Sequence, residues 1–255
     1  MSALPELEVL PNADRLADAA ARRFVAAGLT AINTHGRFIV ALAGGSTPGS
    51  MYARLAGEHA SSLDWSCVHF LWGDERCVPP DHDASNYRMA RETLLARIPV
   101  PDANVHRIRG EDVPLEAAVA YERVLRSMLR TPSGPPRVDP SFRLDLVLLG
   151  LGSDGHTASL FPGGAALQAG PDWVAAEFHL ATAMWRVTLT PMIINAAAEA
   201  VFLVSGQAKA EIVRKVLERP VRPVELPAQL IAPTAGRVVW LLDTAAAAEL
   251  QRTDR

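Results

Sequence analysis

Cysteine is almost missing from this chain, with 2 in 255 residues. Cys67 and Cys77 have neither the spacing of a zinc site nor the density of a disulfide scaffold, so free thiols in a reducing cytoplasm are expected. Long apolar runs are missing as well. No stretch approaches the roughly 20 apolar residues of a membrane span. The opening MSALPELEVLPNADRLADAA is acidic where a secretory leader would be cationic, so none is expected. There is no basic surplus: the net charge is -3 and the pI near 6.2. Nucleic acid and anionic membranes are therefore not expected as partners. Aromatic residues make up only 6%, yet hydrophobic residues reach 49% beside 21% charged. That balance fits a globular enzyme able to bury a large core, and one domain spanning 1–255 is expected.

What is present concentrates in LDLVLLGLGSDGHTASLFP, Leu144 to Pro162. An apolar strand buried on both faces runs into a turn in which Gly150, Gly152 and Gly155 let the backbone bend tightly. Asp154 and His156 ride on that turn and are expected at a crevice. The spacing Gly150-x-Gly152-x-x-Gly155 also matches a dinucleotide fingerprint. We reject that reading because Asp154 would face a pyrophosphate that needs bare N–H groups. The helix that should follow is also cut short by Phe161-Pro162-Gly163-Gly164.

Apolar strands are read at Arg37–Ala43, Cys67–Trp72, Leu144–Leu149, Ala200–Val204 and Arg237–Leu242. Helices are read between them: one after the N-cap Asn12, then Pro48–Gly57, Asn86–Arg97, Pro114–Arg130, Pro191–Glu199 and Gln207–Arg219, with a closing helix at Ala245–Ala248. This alternation predicts a single-domain α/β fold with a mostly parallel, doubly wound sheet and helices on both faces. The proline-rich Thr131–Ser141 reads as a surface connection.

Other polar turns fall at predicted strand ends. Gly44-Gly45-Ser46-Thr47-Pro48 brings backbone N–H groups and a helix dipole together, either as a phosphate cradle or as a tight turn with Ser46 or Thr47 as N-cap. Asp74-Glu75-Arg76 follows the second strand, and Arg76 suits a bidentate phosphate contact. Lys209 opens a helix, where a cation opposes the dipole unless an anion joins it. Asp81-His82-Asp83 cannot easily turn three side chains to one ion, so no metal site is expected. Ser153 and Ser159 flank the histidine without a Gly-x-Ser-x-Gly elbow. The remaining histidines, His35, His59, His69, His82, His106 and His179, read as structural or surface residues.

AGGSTP (43–48), WGDERCVPPDHDASNYRMA (72–90), the LDLVLLGLGSDGHTASLFPG run, RVTLTPMIINAA (186–197) and SGQAKA (205–210) occur in an order and spacing that resemble the 6-phosphogluconolactonase family, over nearly the whole chain. The wider group includes glucosamine-6-phosphate deaminase, which carries a glutamate five residues beyond its Asp-Gly-His histidine and an Asp-Glu-Tyr signature. Here those positions hold Phe161 and Arg76.

The resemblance implies hydrolysis of 6-phospho-D-glucono-1,5-lactone, with no cofactor, no metal and no obligate protein partner, in the cytoplasm. It implies His156 as general base, oriented by Asp154. Asp74 sits where the deaminase has its proton-shuttling aspartate and is counted with His156 and Asp154 as a catalytic candidate, without a specific role. The phosphate is expected at Gly44, Gly45, Ser46, Thr47, Arg76 and Lys209, with Arg186 as a further anion contact. Backbone N–H groups around Gly152 to Gly155 are expected to meet the oxyanion. Two alternatives remain: a deaminase-like isomerase, and a sugar-phosphate sensor that does no chemistry. The sensor would normally carry a DNA-binding segment, and no basic helix-turn-helix precedes the sheet.

Overall fold

The computed structural model describes residues 5–129 and 143–251. In chain order the strands and α-helices are β1 (Glu6–Leu10), α1 (Ala13–His35), β2 (Phe38–Leu42), α2 (Ser46–Ala56), β3 (Val68–Trp72), β4 (Asp74–Arg76), α3 (Asn86–Thr93), α4 (Pro114–Leu129), β5 (Leu146–Leu149), β6 (Val174–His179), β7 (Met184–Leu189), α5 (Pro191–Ile194), β8 (Glu199–Val204), α6 (Ala210–Glu218) and β9 (Arg237–Asp243). Six strands form a parallel sheet in the order β1-β9-β8-β5-β2-β3, flanked by helices. The remaining three form a second, antiparallel sheet, β4-β7-β6. No helix among the described residues is long and apolar enough to cross a membrane.

Strands β2, β5 and β8 are buried at every position, as a sheet covered on both faces requires. The chain leaves β2 toward β3 on one side and returns to β5 on the other. That reversal opens a crevice beyond the carboxyl ends of β2 and β5. Two phenols pin the strand ends beside it. Tyr52 Oη accepts from Ala43 N (3.0 Å) and donates to Ala43 O (2.8 Å); Tyr121 Oη accepts from Trp72 N (2.7 Å) and donates to Trp72 O (3.1 Å). Burial pushes both phenols well above their ordinary pKa.

The predicted mostly parallel, doubly wound α/β sheet is thus present, with strand limits that agree within two residues. Several local expectations need correction. Pro191–Glu199 is not one helix: α5 ends at Ile194 and Glu199 already belongs to β8. Ala245–Ala248 forms turns, with Ala246 N donating to Asp243 Oδ1 (2.7 Å) and Ala247 N to Asp243 O (3.0 Å). Cys67 precedes β3 within a short 3-10 turn. Pro48 is the third helical residue of α2, not the first, and the cap is Gly45 with no side-chain bond. The segment Thr131–Ser141 lies outside the described residues.

Asp74–Arg76, read as a loop, is a strand because Gly73 hands the chain from one sheet to the other. Gly73 N donates to Leu42 O (2.8 Å), and Gly73 O accepts from Leu189 N (2.8 Å). β1, β6 and β7 also escaped the sequence reading, since none is a continuous apolar run.

Candidate active site

A cavity of about 340 Å³ occupies the crevice. Its wall includes Gly44 and Gly45 after β2, Asp74 and Arg76 of β4, Asn86 of α3, Gly150 to Ser153 and His156 after β5, Arg186 of β7, and Lys209 just before α6. Turns that are remote in sequence therefore meet at one place.

His156 and Asp154 form a dyad, with Nδ1 and Asp154 Oδ1 2.6 Å apart. Partial burial alone would raise the Asp154 carboxyl. The hydrogen bond and charge of His156, together with turn amides, outweigh it and hold the group at about 2. An ionised carboxylate can only accept, so in the neutral imidazole the proton sits on Nδ1 and the Nε2 lone pair is left as the base. Asp154 is not on the cavity wall; it stands behind the ring.

Because Asp154 is depressed below its ordinary 3.8, it stabilises the folded state above about 4, and that contribution is lost as pH falls through about 2. The effect is modest, since the side chain is 44% exposed. In denaturant unfolding, the stability deficit of Asp154→Asn should shrink as the pH falls from about 4 to about 2. A deficit that grows on acidification would contradict the assignment.

Gly152 is needed for space. A Cβ there would lie 2.1 Å from His156 Nδ1, while the residue is not among the positive-φ glycines. Gly152→Ala should therefore keep the fold and push the imidazole aside. The expected result is a turnover lower by about 10²-fold, the scale of a small misplacement, with a thermal midpoint close to wild type. Near-normal turnover would show that the ring has room. Gly155 is different: at φ +87, with Leu226 2.8 Å from a would-be Cβ, it shapes the turn and does not line the cavity.

The expected oxyanion amides are partly spent. Gly152 N donates to His156 O (2.8 Å), and Gly155 N to Gly152 O (3.1 Å). His156 N donates to Asp154 Oδ1 (3.1 Å). Ser153 N, on the cavity wall, has no acceptor among the described residues.

Arg76 and Arg186 are directly opposed across β4 and β7. Neither makes an ion pair within the described residues, and both Nε atoms are buried without a partner. The Arg76 guanidinium donates one bond among the described residues, to Ala84 O (2.6 Å). Burial first, and then the Arg76 charge, lower the pKa of Arg186. Two adjoining guanidiniums without a counter-ion make a seat for an anion. Lys209 adds a third cation, its Nζ donating to Leu151 O (2.7 Å). Of the glycine turn, Gly44 and Gly45 face the cavity. Ser46 faces an adjoining groove, and the Thr47 hydroxyl is 2.9 Å from Ser205 Oγ.

Asp74 is buried and belongs to a network. Its Oδ2 accepts from Ser159 Oγ (2.6 Å) and its Oδ1 from Asn86 Nδ2 (3.2 Å). It thereby ties the histidine turn to β4 and α3. Asn86 fits only because position 44 is glycine, where a Cβ would lie 1.9 Å from Asn86 Oδ1. Glu75, 2% exposed, accepts from the amides of Arg76 (2.7 Å), Asn86 (2.8 Å) and Tyr87 (2.8 Å) and from Ser85 Oγ (3.0 Å). It anchors the start of α3. Burial pushes its pKa up against those amides. Neither Asn86 nor Glu75 is marked as a site residue by the sequence, where Ser159 shows only as a flank of the histidine; Ser85, the N-cap of α3, is the one local signal. His179, read as peripheral, stacks on Phe161 beside the dyad. Among the described residues, the one carboxylate–imidazole group close enough to share an ion is Asp18, Glu58 and His59, none of which lines the cavity.

Residues 11–240 match the family described as glucosamine-6-phosphate isomerases/6-phosphogluconolactonase. A 6-phosphogluconolactonase of Nostoc sp. is 38% identical over 245 residues, which cover 96% of this chain and 98% of that one. The solved 6-phosphogluconolactonase of Trypanosoma cruzi is 32% identical with a TM-score of 0.86, covering 99% of each chain. A monomeric glucosamine-6-phosphate deaminase, at 22% identity and a TM-score of 0.76 over 96% of this chain and 99% of its own, shares the fold alone. On the extent of these matches, the chain belongs to the glucosamine-6-phosphate isomerase/6-phosphogluconolactonase family.

Proposed function

We propose that this protein is a lactone hydrolase that converts 6-phospho-D-glucono-1,5-lactone to 6-phospho-D-gluconate, the second step of the oxidative pentose phosphate pathway. The observation that carries the reading is His156, held by Asp154, on the same cavity as two guanidiniums that form no salt bridge among the described residues. A lactone is an activated ester, so one base near neutral pH is enough. His156 Nε2 takes a proton from water as the water oxygen bonds to the lactone carbonyl carbon. The tetrahedral adduct then collapses, the bond to the ring oxygen breaks, and the imidazolium returns the proton to that oxygen.

Ser153 N–H and the Lys209 ammonium are donors on the same cavity for charge on the carbonyl oxygen. Arg76 and Arg186 hold the distal phosphate, and binding energy spent there positions the carbonyl. Phe161, 7% exposed and packed against His156, occupies the position where a deaminase needs its relay glutamate. That weighs against the isomerase alternative, and an intact dyad weighs against a sensor without chemistry. Both cysteines are free thiols, in keeping with the cytoplasmic location expected from the sequence.

The test is a direct assay on freshly generated lactone, corrected for spontaneous hydrolysis. Saturable hydrolysis supports the reading, and a rate equal to the uncatalysed one overturns it.

A further inference from the structure

Phe161 stands between two imidazoles. Its ring centroid is 4.7 Å from that of His156 at an interplanar angle of 58°. On the other side it is 4.1 Å from that of His179 at 10°, a close parallel stack. The two imidazole centroids are 6.3 Å apart. The guanidinium carbon of Arg186 lies 5.9 Å from the centroid of Phe161. A single phenyl ring therefore touches the base, the ring of His179 and one of the opposed arginines.

His179 is absent from the cavity wall, and its closest ring contact is with Phe161. It ends β6, in the hairpin whose other strand carries Arg186, and Nδ1 lies 2.8 Å from Thr182 Oγ1. That contact fixes the rotation of the imidazole. Burial first, then the charges of Arg186 and His156, lower its pKa and favour the neutral form.

The catalytic ring needs a second support. The Asp154 bond fixes one edge of His156, about which the ring can still swing, and the segment between the two rings includes Ala158 at φ +49, a left-handed conformation held by its surroundings. A phenyl ring packed at a tilt against the imidazole removes the swing only if it is itself held.

We infer that His179 is a positioning residue for the base, acting as an aromatic plate that fixes Phe161 against His156. The inference rests on the lactonase reading for its kinetic readout. A second readout, on the unliganded protein, is independent of that reading.

In steady-state assays on the lactone, His179→Ala should lower kcat by about 5- to 30-fold, below the about 10²-fold of a full misplacement, with KM changed less than about 2-fold. His179→Phe should restore kcat to within about 3-fold of wild type, because a phenyl ring can stack as the imidazole does. His179→Gln, polar but without a ring, should not rescue. In imidazole 1H–15N spectra of the free protein, the Nδ1–H signal of His156 should broaden in His179→Ala and stay sharp in His179→Phe.

An unchanged kcat in His179→Ala overturns the inference. So does failure of His179→Phe combined with rescue by His179→Gln, which would mean hydrogen bonding and not stacking is the requirement. Should His179→Ala not fold, the comparison of His179→Phe with His179→Gln decides on both readouts. Absence of lactone hydrolysis by the wild-type protein would sink the functional reading while leaving the spectroscopic test of the plate intact.

Discussion

His156→Asn lowers turnover by about 10²- to 10⁴-fold, the usual contribution of one acid–base group, while affinity for 6-phosphogluconate stays near wild type. The reason is geometric. Asp154 accepts from Nδ1, so Nε2 is the free lone pair, and no other imidazole lines the cavity among the described residues. Asparagine keeps a donor toward Asp154 and approximates the volume, so the turn bonds from Gly152 N and Thr157 Oγ1 need not change. The check is paired: kcat on fresh lactone and titration with the product. Near-normal kcat would remove His156 from the mechanism. A large loss of product affinity would show that the ring holds ligand and does more than move a proton.

The second large effect concerns Arg76 and Arg186. Each change to Ala weakens 6-phosphogluconate binding by about 1.5 to 3 kcal/mol, the range for hydrogen bonds to a charged group, or about 10- to 150-fold. The two effects are non-additive, because the guanidiniums share one phosphate and repel each other without it. Hydrolysis of gluconolactone lacking the phosphate is nearly indifferent to either change.

Stability moves the other way. Arg186→Met keeps much of the packing while removing a half-buried charge opposed by Arg76, so its thermal midpoint is at or above wild type. Isothermal titration of both single variants and the double variant, with thermal melts alongside, reads all of this. Unchanged affinity in both single variants would place the phosphate elsewhere. A clear drop in the midpoint of Arg186→Met would mean that its charge is compensated in the fold.

The sequence by itself determined whatever is local. Apolar runs at β2, β3, β5, β8 and β9 specify strands, those of β2, β5 and β8 buried on both faces, and glycines followed by polar residues at their ends specify turns. The resemblance puts Asp154 behind His156, but two residues of separation do not by themselves show the hydrogen bond between them that the structure has. The order of motifs along the chain then gave the family resemblance, which the fold and the comparisons support.

Only the tertiary structure decided the rest. Asp74–Arg76 carries no apolar signal, and it is a strand because β7 lies beside it. The opposition of Arg76 and Arg186, the burial of Asp74 between Ser159 and Asn86, and the stack of Phe161 on His179 each join residues remote in sequence. Helical and strand periodicities report which way a side chain faces on its own element. They carry no information about what stands opposite, which is set by sheet register and by where the chain reverses between β2 and β5.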